Sequence, residues 1–585
     1  MKILIAKTAG FCMGVRRAVE MVLDAPHKHK GPISTYGPLI HNPQVLKLLE
    51  EKEIFAINDI PEHGSGTILI RAHGVPPGVK ENLEKIGFDV VDATCPRVIK
   101  VQSIIKKHAG HNYAAIILGD KDHPEVVGLL GYAGENGYVI GSLNDFDSLP
   151  RFEKAIIVAQ TTQNTLLFDE IKKLATDKFP HYKVFNTICD STGRRQAEVK
   201  RLASSVDAII VVGGFSSGNT QRLAKIAEKT GKPAYHIQTE SDLEVLELKS
   251  LASSKRIGIT AGASTPNWII KRVYRAIEAL SFKKERGWRK LGFYIQRTML
   301  LTNIYVSIGA GCLCYACTML QGISRFLPYV IISILYVQSM HILNHLTGSE
   351  SDRYNDPERA SFYKKHKVFL TALALIAGGA GLITAYTLGP VAFLILFIMS
   401  MMGLSYNLRL LPGRFTGNRY FRIRDIPGSK TYLIAMAWGI VTSILPSLSA
   451  FGKIGLSAAS IFLWSTSMVF VRTAFFDILD MQGDRIVGKE TLATLLGEKR
   501  TTRLLKAVQL FSVSILLLSA VFGFTSSLGF ALLICPVLLF FVLIAYERGY
   551  VLPGIRLEFL VETLFPLAGV VAFVWSVYFL RVHLF

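Results

Sequence analysis

The chain has 585 residues, too many for one compact core, so two or more domains are expected. Its net charge of +21 could suggest a nucleic-acid binder, but much of the basic excess lies in short loops between apolar stretches, which membrane orientation explains more simply. Short apolar runs alternate with Gly-rich loops up to about Leu280, whereas long apolar stretches dominate beyond Gln296. The sequence therefore predicts an α/β domain at 1–280 and an all-α membrane domain at 298–585.

The first residues, MKILIAKTAG, form a strand-length apolar run closed by glycine, shorter than a signal-peptide core and without a small-residue cleavage site. The first domain is therefore expected to stay in the cytosol. In that reducing compartment, scattered cysteines are ligands, catalysts or core residues more often than disulfides.

Three cysteines of the first domain share one sequence context. Cys12, Cys95 and Cys189 each follow an apolar strand-like run and open a turn toward a helix. The carboxyl ends of parallel strands build sites, and a helix N-terminus favours the thiolate, so convergence is expected in place of three separate buried thiols. An Fe–S cluster normally takes four cysteines, so three would leave one iron open, as catalytic metal sites do.

Polar residues follow the other strands of this domain. They are His41 in LIHNP, His73 in RAHGVPP, His123 and Glu125 in GDKDHPEV, Gln160 and Thr161 in VAQTTQN, Ser217, Gly218 and Asn219 in FSSGNTQRL, and Ser264 in TAGAS. Each alone is more often an ordinary turn residue. Together, small hydroxyls, amides, imidazoles and Gly-rich backbone at helix N-termini predict a diphosphate held over the cluster.

The stretches FCMGVRRAV, YGPLIHNP, AHGV, DATCP, HPEV, QTT, TIC, SSGN and TAGAS resemble the IspH/LytB family of hydroxymethylbutenyl diphosphate reductases, over residues 1 to about 280. The resemblance implies three α/β lobes around a 4Fe-4S cluster held by Cys12, Cys95 and Cys189. It implies the last step of the non-mevalonate isoprenoid pathway, in which two electrons and protons expel water to give isopentenyl and dimethylallyl diphosphates. A ferredoxin or flavodoxin is the expected electron donor.

Individual roles carry over with the matching positions. Glu125 is the implied proton source, with Thr161 and His123 relaying the proton or orienting groups. The implied diphosphate-binding residues are His41, His73, His123, Thr161, Ser217, Gly218, Asn219 and Ser264. Gly218 stands where many relatives have a serine, so one side-chain donor is lost and the backbone N–H remains.

About nine apolar segments of the second domain approach the ~20 residues that a spanning helix needs. They centre near Val306, Ile332, Leu375, Leu396, Ala437, Trp464, Leu516, Leu538 and Val571. Basic connections, such as 353–365, 409–430 and 485–503, alternate with connections nearly free of Lys and Arg. The positive-inside rule then predicts a multi-pass protein of the cell (inner) membrane, with the basic loops and the first domain in the cytoplasm.

Asp477, Asp480 and Asp484 are spaced i, i+3 and i+7, so their carboxylates project from one helical face. Such a cluster near a membrane suits Mg²⁺ bridging a diphosphate, the alternative being a solvated acidic loop. The stretch, with its GD step and GK-TL-LG tail, resembles the second aspartate motif of the UbiA family of membrane prenyltransferases, over residues 290–585. That implies bound Mg²⁺ and prenyl transfer.

The first motif of that family would fall on NHLTGSESD. Asn344 and Asp352 match it, whereas His345 and Gly348 stand in place of aspartates, with Asp356 or Glu350 as the nearest substitutes. The CLCYAC stretch at 312–317 lies inside an apolar segment and is predicted to serve helix packing, not metal binding.

Three functions follow from these observations. The first is a reductase joined by 281–297, a basic aromatic stretch suited to an interfacial helix, to a membrane domain that transfers a prenyl group. The second has prenyl transfer as the main activity, with the reductase supplying precursors. The third is a membrane-anchored iron–sulfur sensor, which would not need Glu125 or the diphosphate loops.

Overall fold

The computed structural model describes residues 2–29, 31–245, 254–283, 288–347, 352, 355–406, 411–412, 420–421, 426, 428–487, 490–548 and 554–582. The chain divides into two compact units, Met1–Ser281 and Phe282–Phe585. Each unit has its own hydrophobic core and is described by itself.

The first unit contains three parallel sheets of four strands each, with the orders β1-β12-β10-β11, β3-β2-β4-β5 and β7-β6-β8-β9. The strands are β1 (Lys2–Ile5), β2 (Ile33–Tyr36), β3 (Phe55–Ile57), β4 (Thr67–Ile70), β5 (Asp89–Asp92), β6 (Ala114–Leu118), β7 (Gly137–Ile140), β8 (Ala155–Ala159), β9 (Lys183–Val184), β10 (Ala208–Val212), β11 (Ala234–Ile237) and β12 (Arg256–Ala261). Strands β6, β8 and β10 read AAIIL, AIIVA and AIIVV and are buried throughout, because helices cover both faces of a parallel sheet.

A helix follows most strands. In all three sheets, loops therefore connect the carboxyl end of a strand to the next helix. They are α1 (Met13–Lys28), α2 (Pro43–Glu50), α3 (Val79–Lys85), α4 (Pro96–Ala109), α5 (Pro124–Ala133), α6 (Leu143–Asp147), α7 (Thr165–Lys178), α8 (Asp190–Ala203), α9 (Gly218–Glu228), α10 (Asp242–Val245) and α11 (Asn267–Lys283). The predicted three-lobed α/β architecture is confirmed.

The second unit is almost entirely helical. Its helices are α12 (Trp288–Leu301), α13 (Ile304–Leu320), α14 (Leu327–Thr347), α15 (Pro357–Lys365), α16 (Lys367–Thr387), α17 (Pro390–Ser405), α18 (Ser429–Gly439), α19 (Leu445–Phe451), α20 (Leu456–Val487), α21 (Leu492–Leu496), α22 (Glu498–Val521), α23 (Leu528–Leu532), α24 (Ile534–Glu547) and α25 (Ile555–Val582). A π-helical turn, Ile440–Ile444, joins α18 to α19, and residues 411–412 pair with 420–421 as a short antiparallel ladder.

All nine predicted apolar segments are helical, but their lengths differ. Seven spans among the described residues are long and apolar enough to cross a membrane, and the bent pair α12 and α13 could make an eighth. The ninth, α17, has 16 residues, fewer than the ~20 of a straight span.

Asn303 divides the first apolar segment. Its φ of 59° lies in the left-handed region, and the helices on either side meet at 76°. Its side-chain amide donates to the Tyr363 hydroxyl at 2.7 Å, which fixes the bend. The cysteines of CLCYAC lie beyond it on α13, where Cys314 and Cys317 are buried in the hydrophobic core.

Candidate functional site

The three predicted cluster cysteines occupy the same local position. Cys12, Cys95 and Cys189 are the N-cap residues of α1, α4 and α8, each with extended backbone immediately before the helix. The Val15 N–H points at the Cys12 sulfur at 3.4 Å, so the free N–H groups of a helix N-terminus face a thiol. Such an environment stabilises the thiolate, the form that binds iron.

The first turns of α1 and α4 are in contact beside these thiols. A Cβ added to Gly14 would lie 2.4 Å from the Cys95 sulfur, so only glycine allows this approach. Burial raises the pKa of the Cys95 thiol, and the nearby thiols of Cys12 and Cys189 raise it further. Thiolates at these three positions would repel one another, so a cation bound among them would favour the ionised form.

Each cysteine turn is hydrogen bonded to a loop that carries a predicted substrate residue. The N–H groups of Cys12, Cys95 and Cys189 donate to the carbonyls of Ala263, Ala72 and Thr161, at 3.1, 2.9 and 2.9 Å. Ala263 precedes Ser264 and Ala72 precedes His73 along the chain. The structure therefore brings the cysteine turns and the polar loops into one region.

Two residues of α8 hold the turn before Cys12. The Glu198 carboxylate accepts from the N–H groups of Lys7 and Thr8, both at 2.8 Å, and from the Thr8 hydroxyl at 2.5 Å. The Arg195 guanidinium donates to the Gly10 carbonyl at 2.5 Å. Glu198 and Arg195 were not singled out by sequence analysis, since neither lies at a strand end.

His41, His73 and His123 form a compact group. The ring centroids of His41 and His73 are 4.6 Å apart. The His123 centroid lies 5.4 Å from that of His41 and 5.3 Å from that of His73. Burial lowers the pKa of all three, that of His123 to about 4, so the imidazoles are neutral near pH 7. Nε2 of His41 and Nδ1 of His73 are buried without a hydrogen-bond partner. Buried polar atoms of this kind point to a missing ligand.

The residues predicted to complete the anion site lie beside His41. The Ser264 hydroxyl donates to Ser217 Oγ and to the His41 carbonyl, both at 3.2 Å. Ser217 caps α9, and Asn219 in its first turn is buried with Nδ2 unpartnered. A Cβ on Gly218 would lie 3.9 Å from the His123 ring. Hydroxyls, an amide and a helix N-terminus therefore meet the imidazole group.

The Glu125 side chain is 2% exposed and is held by Thr161. The Thr161 N–H donates to Oε1 at 2.6 Å, and its hydroxyl donates to Oε2 at 2.9 Å. Burial raises the pKa of Glu125 to about 7, although the Thr161 hydrogen bonds oppose the shift. The Glu125 N–H also donates to His123 Nδ1 at 3.1 Å. A carboxyl with this pKa can release a proton near neutral pH.

Arg222 also lies at this site, although sequence analysis did not single it out. It is on α9, four residues after Gly218, and its guanidinium contacts Asp120, Thr162 and Gln163. The only sequence signal was its place in the SSGNTQRL loop, one helical turn beyond the predicted anion site.

In the second unit, the three aspartates lie on α20. Asp477 and Asp484 are buried, and Asp480 is half-buried. The Thr431 hydroxyl donates to Asp477 at 2.5 Å, and the Asn355 amide donates to Asp484 at 3.0 Å. These contacts contradict the alternative of a solvated acidic loop.

The region of the first aspartate motif has an ion pair in place of an acidic cluster. His345 Nδ1 lies 2.7 Å from Asp352 Oδ2, while Asn344 is half-buried on α14. Asp356 caps α15 by accepting from the Arg359 N–H at 3.2 Å. Gly348 and Glu350 lie outside the described residues. Lys430 interacts electrostatically with Asp477, Asp484 and Asp352, so the two motif regions share one cation.

The two halves of the chain resemble different groups of known proteins. Residues 3–278 match the family model "LytB protein", and residues 304–550 match that of the UbiA prenyltransferase family. The 4-hydroxy-3-methylbut-2-enyl diphosphate reductase of Geobacter sulfurreducens is 42% identical over 285 residues, which cover 49% of this chain and all of that protein.

Two solved structures are similar to the two halves. A structure of (E)-4-hydroxy-3-methyl-but-2-enyl diphosphate reductase is 41% identical and covers 48% of this chain and 99% of its own, with a TM-score of 0.38. A UbiA homolog from Aeropyrum pernix is 14% identical and covers 46% of this chain and 98% of its own, with a TM-score of 0.37.

Proposed function

We propose that the first half of the chain reduces 4-hydroxy-3-methylbut-2-enyl diphosphate, an allylic diphosphate. Through this half, the chain belongs to the LytB family of reductases for that compound. The C–O bond to the 4-hydroxyl breaks, and two electrons and two protons are added. The products are water and isopentenyl or dimethylallyl diphosphate. The observation that carries the proposal is the buried Glu125, which has a pKa of about 7 and whose N–H donates to His123. His123 belongs to a group of three imidazoles in which Nε2 of His41 and Nδ1 of His73 are buried without a hydrogen-bond partner.

Cys12, Cys95 and Cys189 fit the ligands of a 4Fe-4S cluster. All three are helix N-caps, and their turns are tied to the polar loops by backbone hydrogen bonds. When bound, the cluster would supply the two electrons and a Lewis-acid iron that no protein side chain occupies.

The polar loops would bind and orient the substrate. Ser217, Ser264 and Asn219, with the Gly218 N–H and the N-terminus of α9, offer donors for the diphosphate oxygens. His41, His73 and His123 are neutral without ligand, and each can become a charged donor once an anion raises its pKa. A site of this composition does not suit an iron–sulfur sensor, which has no need of a diphosphate pocket.

Glu125 would hold the proton that the departing hydroxyl needs. Expelling hydroxide from carbon is unfavourable, and a positioned acid typically contributes ~10²- to 10⁴-fold in rate. Thr161 orients the carboxyl by donating to both carboxylate oxygens, and His123 Nδ1 accepts from the Glu125 backbone N–H. These two residues would position or relay the proton.

The test is an anaerobic reductase assay with a visible absorption spectrum. We expect turnover and the broad absorbance of an iron–sulfur cluster, both lost in Cys12→Ser, Cys95→Ser and Cys189→Ser, because a hydroxyl is a poor ligand for iron. Cys314→Ser in the second unit is the matched control and should change neither. A protein that binds its cluster and never turns over this substrate would disprove the proposal.

An acidic carrier such as a ferredoxin or flavodoxin would deliver the electrons. Support comes from the surface of the helices that Cys12 and Cys95 cap, where Met13, Arg97 and Lys100 are exposed. Opposite charge accelerates such encounters. Lys100→Glu should slow reduction by the protein donor and leave reduction by a chemical reductant unchanged.

For the second half, we propose Mg²⁺-dependent transfer of a prenyl group from its diphosphate. Two observations support a diphosphate and its Mg²⁺ at Asp477, Asp480 and Asp484. Asp477 and Asp484 are buried on one helix, and both interact electrostatically with Lys430. Asn344 and Asp352 would complete the site, although the pairing of Asp352 with His345 leaves fewer free carboxylate oxygens.

The multi-pass protein would lie in the inner membrane with the reductase half in the cytoplasm. The basic connections support this orientation, because they alternate with connections nearly free of Lys and Arg. Protease added to sealed inside-out vesicles should then digest the first half, whereas spheroplasts should protect it.

A further inference from the structure

The loops that carry the proposed proton donor and the proposed diphosphate site come from different sheets. Asp120, His123 and Glu125 follow β6, and Thr161 follows β8 of the same sheet, whereas Ser217 to Asn219 follow β10 of another. Their relative position therefore depends on contacts between lobes rather than on one rigid sheet.

The Arg222 guanidinium makes that contact. Its Nη2 lies 2.6 Å from Asp120 Oδ2, its Nε donates to Gln163 Oε1 at 3.1 Å, and its Nη1 donates to Thr162 Oγ1 at 3.3 Å. The Arg222 side chain is 13% exposed, whereas Asp120 is 53% exposed. All three nitrogens of one planar group are thus used, which a lysine could not reproduce.

Both loops reached by Arg222 are rigidly coupled to the proposed acid. The Asp120 carbonyl accepts from the His123 N–H at 3.0 Å, and the Asp120 N–H donates to Gln160 Oε1 at 3.1 Å. Thr162 directly follows Thr161, which holds both oxygens of Glu125. A shift of either loop would therefore move the Glu125 carboxyl.

Gly218 leaves the room that this group of contacts needs. A Cβ at this position would lie 3.1 Å from Arg222 Nη1 and 3.6 Å from Asp120 Oδ2. The first distance is tighter than ordinary van der Waals contact. The absence of a side chain at 218, noted as a departure from many relatives, thus coincides with the place that the Arg222–Asp120 pair occupies.

We infer that Arg222 is a positioning residue that fastens the diphosphate loop of α9 to the two loops holding Glu125 and Thr161. The inference rests on the proposed reductase function. Arg222 would keep the Glu125 carboxyl aligned with the substrate, and a misplacement of about 1 Å between such groups can cost ~100-fold in rate.

The test compares Arg222→Met, Arg222→Lys and Asp120→Asn with Lys178→Met, which removes the exposed ion pair with Asp147 on the same lobe. We expect Arg222→Met to lower kcat by about 10- to 100-fold with a smaller change in KM and an intact cluster spectrum. Arg222→Lys should recover only part of the rate. Adding Asp120→Asn to Arg222→Met should lower kcat little further, because the Arg222–Asp120 contact is already absent in Arg222→Met. Lys178→Met should be neutral.

Amide hydrogen exchange provides a readout that does not depend on turnover. In Arg222→Met, the Glu125 and Thr161 amides should exchange faster, whereas in Lys178→Met they should not. Faster exchange without any reductase activity in the wild-type protein would support the positioning role and reject the proposed function. Unchanged exchange and unchanged kcat in Arg222→Met would overturn the positioning role. Loss of the cluster in Arg222→Met would also overturn it, in favour of a general structural role.

Discussion

The Cys189 N–H donates a 2.9 Å hydrogen bond to the Thr161 carbonyl, while the N–H and hydroxyl of Thr161 hold the Glu125 carboxyl. One residue thus joins a proposed cluster ligand to the proposed proton donor. Any motion that displaced the acid relative to Cys189 would have to break either this backbone hydrogen bond or the two bonds from Thr161 to Glu125. Thr161 therefore restrains the distance between the two groups through both its backbone and its hydroxyl.

The protonation of Glu125 should determine the alkaline limb of the reductase pH profile. Burial raises its pKa to about 7, so the acid form is lost as the pH rises through that value. We expect kcat to fall about tenfold per pH unit above the pKa, since only the protonated fraction can donate. Glu125→Gln should lower kcat by ~10²- to 10⁴-fold and remove this limb. Steady-state assays across the neutral range measure both.

Thr161→Val provides the control for that assignment. The Thr161 hydroxyl stabilises the ionised carboxylate, so its removal should move the alkaline limb to higher pH without abolishing turnover. A limb that stays in place in Thr161→Val, or persists in Glu125→Gln, would show that another group is the acid.

Diphosphate binding should take up protons at pH 7. Burial lowers the pKa of His41, His73 and His123, so they are neutral without a bound anion, and an anion raises the pKa again. Calorimetric titration with inorganic diphosphate in two buffers of different ionisation enthalpy measures the uptake. His123→Gln should reduce it, and His108→Gln, on α4, serves as the matched control. Equal heats in both buffers would contradict the prediction.

The sequence predicts which residues gather at strand ends better than which residue a helical side chain contacts. Cys12, Cys95 and Cys189 could be grouped because each interrupts an apolar run at the same kind of turn. The pairing of Arg222 with Asp120 spans 102 residues, and a charged residue on a helix carries no signal of its distant partner. The apolar run near Val306 predicts one straight span, because left-handed backbone at Asn303 leaves no mark in hydrophobic periodicity.

Glu198 should control how firmly the protein retains its cluster. Its carboxylate accepts three hydrogen bonds from Lys7 and Thr8, just before the Cys12 turn, and bonds to a charged group are worth about 1.5–3 kcal/mol each. Glu198→Gln replaces one acceptor oxygen by an amide NH₂, which cannot accept from these donors. We expect a lower melting temperature and faster loss of iron to a chelator.

Arg201→Gln is the control for this change. Arg201 is the exposed partner of Glu198, 76% accessible, so its loss should cost little. Iron loss at the wild-type rate in Glu198→Gln would mean that the turn is held by other contacts.

Prenyl transfer by the second half should require Mg²⁺ and Asp480. We expect transfer from a long prenyl diphosphate in liposomes only with Mg²⁺, and its loss in Asp480→Asn, which leaves the cation under-coordinated. Reductase activity should survive. His345→Asp should lower the Mg²⁺ concentration that transfer needs, because it replaces the imidazole paired with Asp352 by a carboxylate. An Asp480→Asn protein that behaves as wild type would favour a domain that only anchors the reductase.

The stability of the second unit should depend on one buried ion pair. Arg472 on α20 donates to Glu562 on α25 through Nε at 2.9 and 3.1 Å and through Nη2 at 2.5 Å, and both side chains are nearly inaccessible. The guanidinium carbon also lies 5.5 Å from the Trp438 ring centroid. Removing one partner leaves the other charge buried and unpaired, at a cost of about 3–5 kcal/mol.

Arg472→Met and Glu562→Leu should therefore each lower the melting temperature in detergent sharply, whereas the double variant should recover most of the loss, since two apolar side chains leave no buried charge. Lys506→Met breaks a comparable but partly exposed pair with Glu547 and should cost no more than about 1 kcal/mol. If the double variant were as unstable as the sum of the single changes, Arg472 and Glu562 would contribute through separate contacts, such as that with Trp438, and not through their pairing.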